Sequence, residues 1–146
     1  MADPVRLRPP LPSDAPALAA LAGELGYPTD VEALLGRLAA LHPTDAAVIV
    51  STDAGNAPTG WCQVELFHTL VEPLSALITG LVVGEAHRSE GIGAALLEAA
   101  EGWARARSCR RMVVATRITR ARAHRFYARE GYVVSKTSYF LAKPLD

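Results

Sequence analysis

Leu81-Val82-Val83-Gly84-Glu85-Ala86-His87-Arg88-Ser89-Glu90-Gly91-Ile92-Gly93-Ala94-Ala95-Leu96 runs from an apolar strand through a short turn into a helix. The first N–H groups of a helix have no partner inside it, and the helix dipole adds partial positive charge at that end. Glycine at 91 and 93 removes the side chains that would keep a ligand away from those amides. The result reads as an anion cradle, with the full charge and paired donors of Arg88 just outside it. No Gly-Lys-Ser/Thr comes after it, so this is not a P-loop. The dinucleotide fingerprint also fails, because its third glycine position holds Leu96. Taken alone, Gly-Ile-Gly serves equally well as a purely structural turn.

The sequence upstream reads as strand, helix, helix and strands. Val5 to Arg8 alternates as a short strand closed by Pro9-Pro10. Ser13 or Asp14 is placed to cap a helix from about Pro16 to Leu25, which Gly26 stops. Thr29 or Asp30 caps a second helix, in which Val31, Leu34, Leu35, Leu38 and Leu41 recur at helical spacing. Ala46 to Ser51 and Gly60 to His68 read as a hairpin around Asp53-Ala54-Gly55-Asn56. Leu74 to Val83 is a long strand whose interior Gly80 marks a bulge or a close backbone approach.

Downstream, Ser89 to Arg107 is the strongest helical pattern, with Ile92, Leu96, Ala99, Trp103 and Ala106 on one face. Met112 to Thr116 reads as a buried strand and Ala121 to Arg129 as a helix ended by Gly131. Tyr132 to Ser135 and Tyr139 to Leu145 are expected to close the sheet as a strand pair. This order suits one mixed α/β layered domain over residues 3–146.

Composition narrows the function. The 146 residues are half hydrophobic and about a fifth charged, as in an ordinary globular domain. The net charge is zero, but nine acids face three bases up to Pro73, and six acids face twelve bases from Leu74 onward. Arg105 to Arg129 holds nine arginines and no acid. The basic half suits an anionic ligand and the acidic half a cationic one, although solvated helix faces give the same pattern. A nucleic-acid partner is disfavoured, because the chain as a whole is not basic and has no aromatic stacking platform. Cys62 and Cys109 form no disulfide framework, and the four histidines lack metal-ligand spacing, so no metal is expected. The N-terminus lacks a signal-peptide layout, and the charge-free stretch between Glu72 and Glu85 is shorter than the ~20 residues a bilayer requires. No membrane partner and a cytoplasmic location are therefore expected.

Two segments carry a family resemblance. Arg88-Ser89-Glu90-Gly91-Ile92-Gly93 resembles the Arg/Gln-x-x-Gly-x-Gly/Ala signature of the GNAT N-acetyltransferase superfamily, and it comes after a Leu-Val-Val strand. Ala123 to Tyr132 resembles the family's second segment, Ala-x-x-Phe-Tyr-x-x-x-Gly-Phe/Tyr. The two occur in the right order, and the resemblance spans nearly the whole chain.

The resemblance implies an α/β (α+β) architecture: a mixed, mostly antiparallel sheet of six or seven strands flanked by about four helices. It implies an acyl-CoA-dependent activity, transfer of an acetyl group from acetyl-CoA directly to a primary amine of a small molecule or protein. It places the CoA diphosphate against the amides of Arg88, Ser89, Glu90, Gly91, Ile92, Gly93 and Ala94. By the same resemblance, the pantetheine arm pairs with the backbone of Leu81, Val82 and Val83, where that strand splays from the Met112 strand. An amide near Val82 or Val83 is then expected to polarise the thioester carbonyl. Ala123 and Tyr127 match the cofactor-binding segment, and Tyr127 matches the tyrosine that protonates the leaving thiolate. Arg120 stands where the family often has Asn, so its contact with the cofactor is a departure from the pattern. A homodimer is compatible with the family.

The base that deprotonates the amine is left open among Glu65, His68, Glu72 and a water chain, because Leu77-Ile78-Thr79 carries no acid. The acceptor site is expected from the helices between Gly26 and His42, the Glu65–Glu72 loop and the turn from Ser135 to Ser138, with a cationic amine favoured by the acidic half. Two alternatives remain: a non-catalytic acyl-CoA-binding regulatory module and, less favoured, an arginine-mediated nucleic-acid binder.

Overall fold

A computed structural model describes residues 4–146, so the expected domain start at residue 3 lies outside the described residues. Their contacts divide into two compact units, one ending at Ala115 and one spanning Thr116–Asp146.

The first unit is a sheet covered by helices. Its strands are β1 (Arg6–Arg8), β2 (Ala46–Thr52), β3 (Pro58–Phe67), β4 (Ser75–Val83) and β5 (Arg111–Val114). They lie side by side in chain order, antiparallel except for the parallel pair β4–β5. The helices are α1 (Ala15–Leu25), α2 (Val31–Ala40) and α3 (Ile92–Ala106). The β2–β3 hairpin turns where expected, with Asp53 Oδ1 accepting from the amides of Gly55 and Ala57 at 2.9 Å each. Asp30 caps α2 by accepting from Ala33 N at 3.1 Å.

Asp14 does not cap α1 as expected. A 3₁₀ turn over Pro12–Asp14 precedes that helix, and the largely buried Asp14 carboxylate turns to Arg8 instead. Arg8 donates to both Asp14 oxygens at 2.7 and 3.0 Å, and Leu11 N donates at 2.7 Å. Arg8 also donates to Asn56 Oδ1 at 2.8 Å, tying β1 to the hairpin turn. The Arg8 hydrogen bonds hold the Asp14 carboxyl below the usual carboxylate range, and the same pairing raises Arg8.

The core lies where β2, β3 and β4 meet α1 and α3. Val50, Cys62, Val64, Ala76, Leu96 and Ala100 are fully buried. The buried stripe of α3 is Ile92, Leu96, Leu97, Ala100 and Ala104, which corrects the expected face through Ala99, Trp103 and Ala106. Trp103 is only half-buried, and the Arg107 guanidinium lies over its ring, 4.0 Å from the ring centroid. The helix also begins later than expected, since Ser89 and Gly91 have left-handed φ values of 70° and 81° and belong to the turn.

The second unit holds α4 (Ala121–Arg129). The expected closing strands, Tyr132–Ser135 and Tyr139–Leu145, are not found. Among the described residues the sheet has five strands, one or two fewer than expected. Val133, Val134, Tyr139, Phe140 and Leu141 are largely exposed. Apolar, β-branched and aromatic content raises strand propensity, but a strand exists only where a partner completes its ladder.

Candidate active site

The first unit builds the cradle from three linked pieces. β5 pairs with β4 only from Ser75 to Ile78. Beyond that point Thr79–Val83 continue β4 with β3 on one side and, among the described residues, no strand on the other. β4 therefore runs on past its pairing with β5, and the segment that does so includes Leu81, Val82 and Val83. Val82 is buried, while Leu81 and Val83 are half-buried.

A bonded turn carries the chain from β4 to α3. Gly84 N donates to Thr59 O at 2.8 Å, and Glu85 N donates to Glu24 Oε1 at 2.9 Å. These bonds tie the turn to β3 and α1. Arg88, Ser89, Glu90 and Gly91 come next along the chain, and of these Arg88, with its neighbours, faces solvent at least in part. Two left-handed residues, Ser89 and Gly91, flank Glu90. The first α3 bond runs from Ala95 N to Gly91 O at 3.1 Å. The amides of Ile92, Gly93 and Ala94 therefore have no partner within the helix, and no side chain caps it.

A Cβ at Gly91 would meet nothing within 4 Å. Glycine there answers to its φ and to open space, not to crowding by the protein. Arg88 makes no ion pair among the described residues. The Glu90 carboxylate lies 3.4 Å from His87 Nδ1. Uncapped amides, an unpaired cation and vacant room at Gly91 are what a diphosphate requires, so the residues fit the co-substrate that the sequence motif implies.

Glu65 lies on β3 opposite Ala46 of β2 and Leu77 of β4, and is half-buried. His68 is exposed just past the end of β3, and Glu72 pairs with Arg111 at 3.0 Å. The structure does not gather these groups around one another.

Arg120, Ala123 and Tyr127 are brought together in the second unit. Arg120 is the residue before α4, and His124 N donates to its carbonyl at 3.1 Å. His124 Nε2 lies 2.8 Å from Arg117 O, fastening the preceding turn. Tyr127 packs edge-on against Phe126 and Tyr132, with centroids 5.0 and 5.7 Å apart. Tyr132 N donates to Tyr127 O at 2.9 Å, which closes the helix at Gly131. The motif's aromatic positions thus form one cluster that orients the Tyr127 ring.

Three features of the first unit were not among the expected site residues. Thr79 is an extra residue in β4, Trp61 covers Gly80, and Glu24 holds the turn. Gly80 alone gave a signal in the sequence. Both cysteines are free thiols. Cys62, sealed in the sheet, is pushed up to about 12 by burial, and burial also raises Cys109. Among the described residues no group of three or more His, Cys, Asp or Glu could hold a metal, and no helix is long and apolar enough to cross a membrane.

Comparison with known proteins places this geometry. The chain is 27% identical over 145 residues to an aminoglycoside N(6')-acetyltransferase type 1 of Stenotrophomonas maltophilia, covering 96% of this chain and 94% of that protein. Among solved structures, AAC(6')-Iy in complex with a CoA-containing bisubstrate analogue superposes with a TM-score of 0.84 at 16% identity, covering 97% of this chain and 99% of that one. A transcriptional regulator from Bacillus halodurans C-125 superposes with a TM-score of 0.81 at 24% identity, covering 96% and 100%. At such identities the structures show a shared fold. The sequence profile of the acetyltransferase (GNAT) family matches residues 18–132. The fold agrees with the profile, which spans most of the chain, and the chain belongs to the acetyltransferase (GNAT) family.

Proposed function

We propose that this enzyme moves an acetyl group from acetyl-CoA to a primary amine of a small cationic molecule, its two units acting as one catalytic domain. The observation that carries the reading is continuous in the first unit. β4 outruns β5 by Thr79–Val83 and leads directly into a turn with two left-handed residues and an uncapped helix. An extended chain ending in a diphosphate matches that surface along its length. The acidic bias of the sequence up to Pro73 and the aminoglycoside substrate named for the Stenotrophomonas relative support a cationic acceptor.

Acetyl-CoA supplies an activated acyl group, so the protein's own work is binding, orientation and proton movement. In this reading the amides from Arg88 to Ala94, with the Arg88 side chain, hold the diphosphate. Leu81, Val82 and Val83 pair with the pantetheine arm, and an amide at Val82 or Val83 polarises the carbonyl. Arg120 and Ala123 complete the binding segment. Tyr127 gives its phenolic proton to the departing sulfur. The amine's own proton leaves through Glu65, or through a water chain. We also propose a homodimer and a cytoplasmic location.

Calorimetry with CoA, and then thiol release from acetyl-CoA with a panel of neutral and cationic amines, tests the proposal. Binding with turnover on cationic amines is expected. Binding without turnover on any amine would identify a regulatory module instead, and no affinity for CoA would remove the reading altogether. Equal turnover of neutral and cationic amines would remove the acceptor class alone.

A further inference from the structure

β4 changes phase in the middle. Val64 pairs with Ile78, but its neighbour Gln63 pairs with Gly80, so Thr79 is an extra residue. Cross-strand partners share a face, which fixes the consequence. Ala76 and Ile78 share the Cys62–Val64 face before the bulge, and Leu81 and Val83 share it afterwards. Gly80 and Val82 fall on the opposite face, with Trp61. Strand amides also alternate in direction along the sheet. A slip of one residue at Thr79 would therefore exchange the amides of Thr79–Val83 that point to the free edge for those that point to β3.

One contact sits on this bulge. The Trp61 indole occupies the place of any side chain at position 80. A Cβ on Gly80 would come within 2.6 Å of Trp61 Cζ3 and 2.8 Å of Cη2. The ring has little freedom to retreat, because Trp61 Nε1 donates to the Leu18 carbonyl of α1 at 3.2 Å. The Trp61 backbone is held as well, paired with Val50 on β2 and Val82 on β4. Gly80 thus lies flat under an indole fixed from a helix and from both neighbouring strands.

We propose that Trp61 is a positioning residue for acyl transfer, fixing the phase of the Thr79–Gly80 bulge and so selecting the backbone amides that the free edge of β4 offers to the acyl donor. The inference rests on the proposed acetyl transfer from CoA. Trp61 itself does not touch the donor. It acts through Gly80, and its partner Leu18 makes α1 part of the device.

The test uses Gly80→Ala, Trp61→Leu and Trp61→Phe in the full chain. Melting curves establish that each folds. Hydrogen exchange is read at residues 79–83 without ligand, CoA affinity is read by calorimetry, and kcat and KM are measured for each substrate. In Gly80→Ala and Trp61→Leu, exchange at residues 79–83 should quicken and the Kd for CoA should rise by about tenfold or more. The KM for acetyl-CoA should rise with it, while the KM for the amine stays within about twofold. Trp61→Phe keeps a ring over Gly80 and loses only the bond to Leu18, so it should recover most of the affinity. Folded Gly80→Ala and Trp61→Leu proteins with unchanged exchange and CoA affinity overturn the inference.

Should neither variant fold, wild-type protein labelled with 5-fluorotryptophan decides the matter. Saturating CoA should shift the fluorine signal of Trp61 and leave that of Trp103, on α3, in place. A Trp61 signal that does not move overturns the inference. Wild-type protein without affinity for CoA rejects the function itself. Wild-type binding and turnover with unaffected variants reject only the role of Trp61.

Discussion

Gly91 separates two demands that a cradle glycine meets, and two substitutions tell them apart. Its φ of 81° and ψ of 7° are left-handed, and a Cβ there would touch nothing in the protein. Gly91→Ala therefore costs backbone conformation only, about 1 kcal/mol, which for a domain of this size lowers Tm by about 3 °C. Asn tolerates the left-handed region, so Gly91→Asn should melt close to wild type. Both variants nonetheless place atoms in the open space before the amides of Ile92, Gly93 and Ala94. Losing one charge-assisted hydrogen bond to a diphosphate costs about 1.5 kcal/mol, or roughly tenfold in Kd. CoA calorimetry beside thermal melts should show both variants binding at least tenfold more weakly, with only Gly91→Ala less stable. If Gly91→Asn binds CoA like wild type, the open space is not where the diphosphate lies and the steric reasoning is refuted.

Arg88→Ala should lower kcat/KM for acetyl-CoA by about tenfold and leave acetyl-pantetheine, which lacks the diphosphate, unaffected; parallel kinetics with both donors check this, and an equal loss on both would place Arg88 elsewhere. Tyr127→Phe should reduce kcat by about tenfold or more with CoA affinity preserved, and a rate unchanged across pH at saturating substrates would remove the general-acid role. Asp14→Asn should destabilise the fold by about 2 kcal/mol in urea melts, because Arg8 loses its charged acceptor. The Asp14 carboxyl is depressed in the folded state, so its contribution is complete above the unfolded pKa of ~3.9 and fades as pH falls through the lower folded value. Asp14→Asn should therefore flatten the acid limb of the stability curve, and an identical limb in both proteins would contradict the assignment.

Periodicity and local chemistry make part of this fold legible in the sequence. The strand–turn–helix at Leu81–Leu96, the Asp53 hairpin and the Asp30 cap lie where their residues require. Asp14 misleads because a cap and an ion pair want the same carboxylate, and the competing partner, Arg8, is presented by a different element. The buried stripe of α3 is ambiguous because Ala99 and Ala100 are indistinguishable by hydropathy, and only the packed sheet selects between them. Tyr132–Leu145 carries strand-forming residues, yet pairing is a property of two segments, and one sequence segment cannot declare its partner. Near the candidate site, the glycine turn and the uncapped start of α3 are readable because amides and glycines act locally. Trp61 is not, since its meaning depends on Gly80, which lies far along the chain and across a strand boundary.

The extra residue at Thr79 bears on how roles are carried between relatives. A related chain without that insertion, aligned to this one with no gap in β4, matches side chain to side chain on only one half of the strand. On the other half, inward positions are compared with outward ones, and apparent substitutions there reflect numbering, not chemistry. Ancestral reconstruction, consensus design or transfer of a catalytic assignment through Ser75–Val83 therefore requires two separate alignments, joined at the insertion.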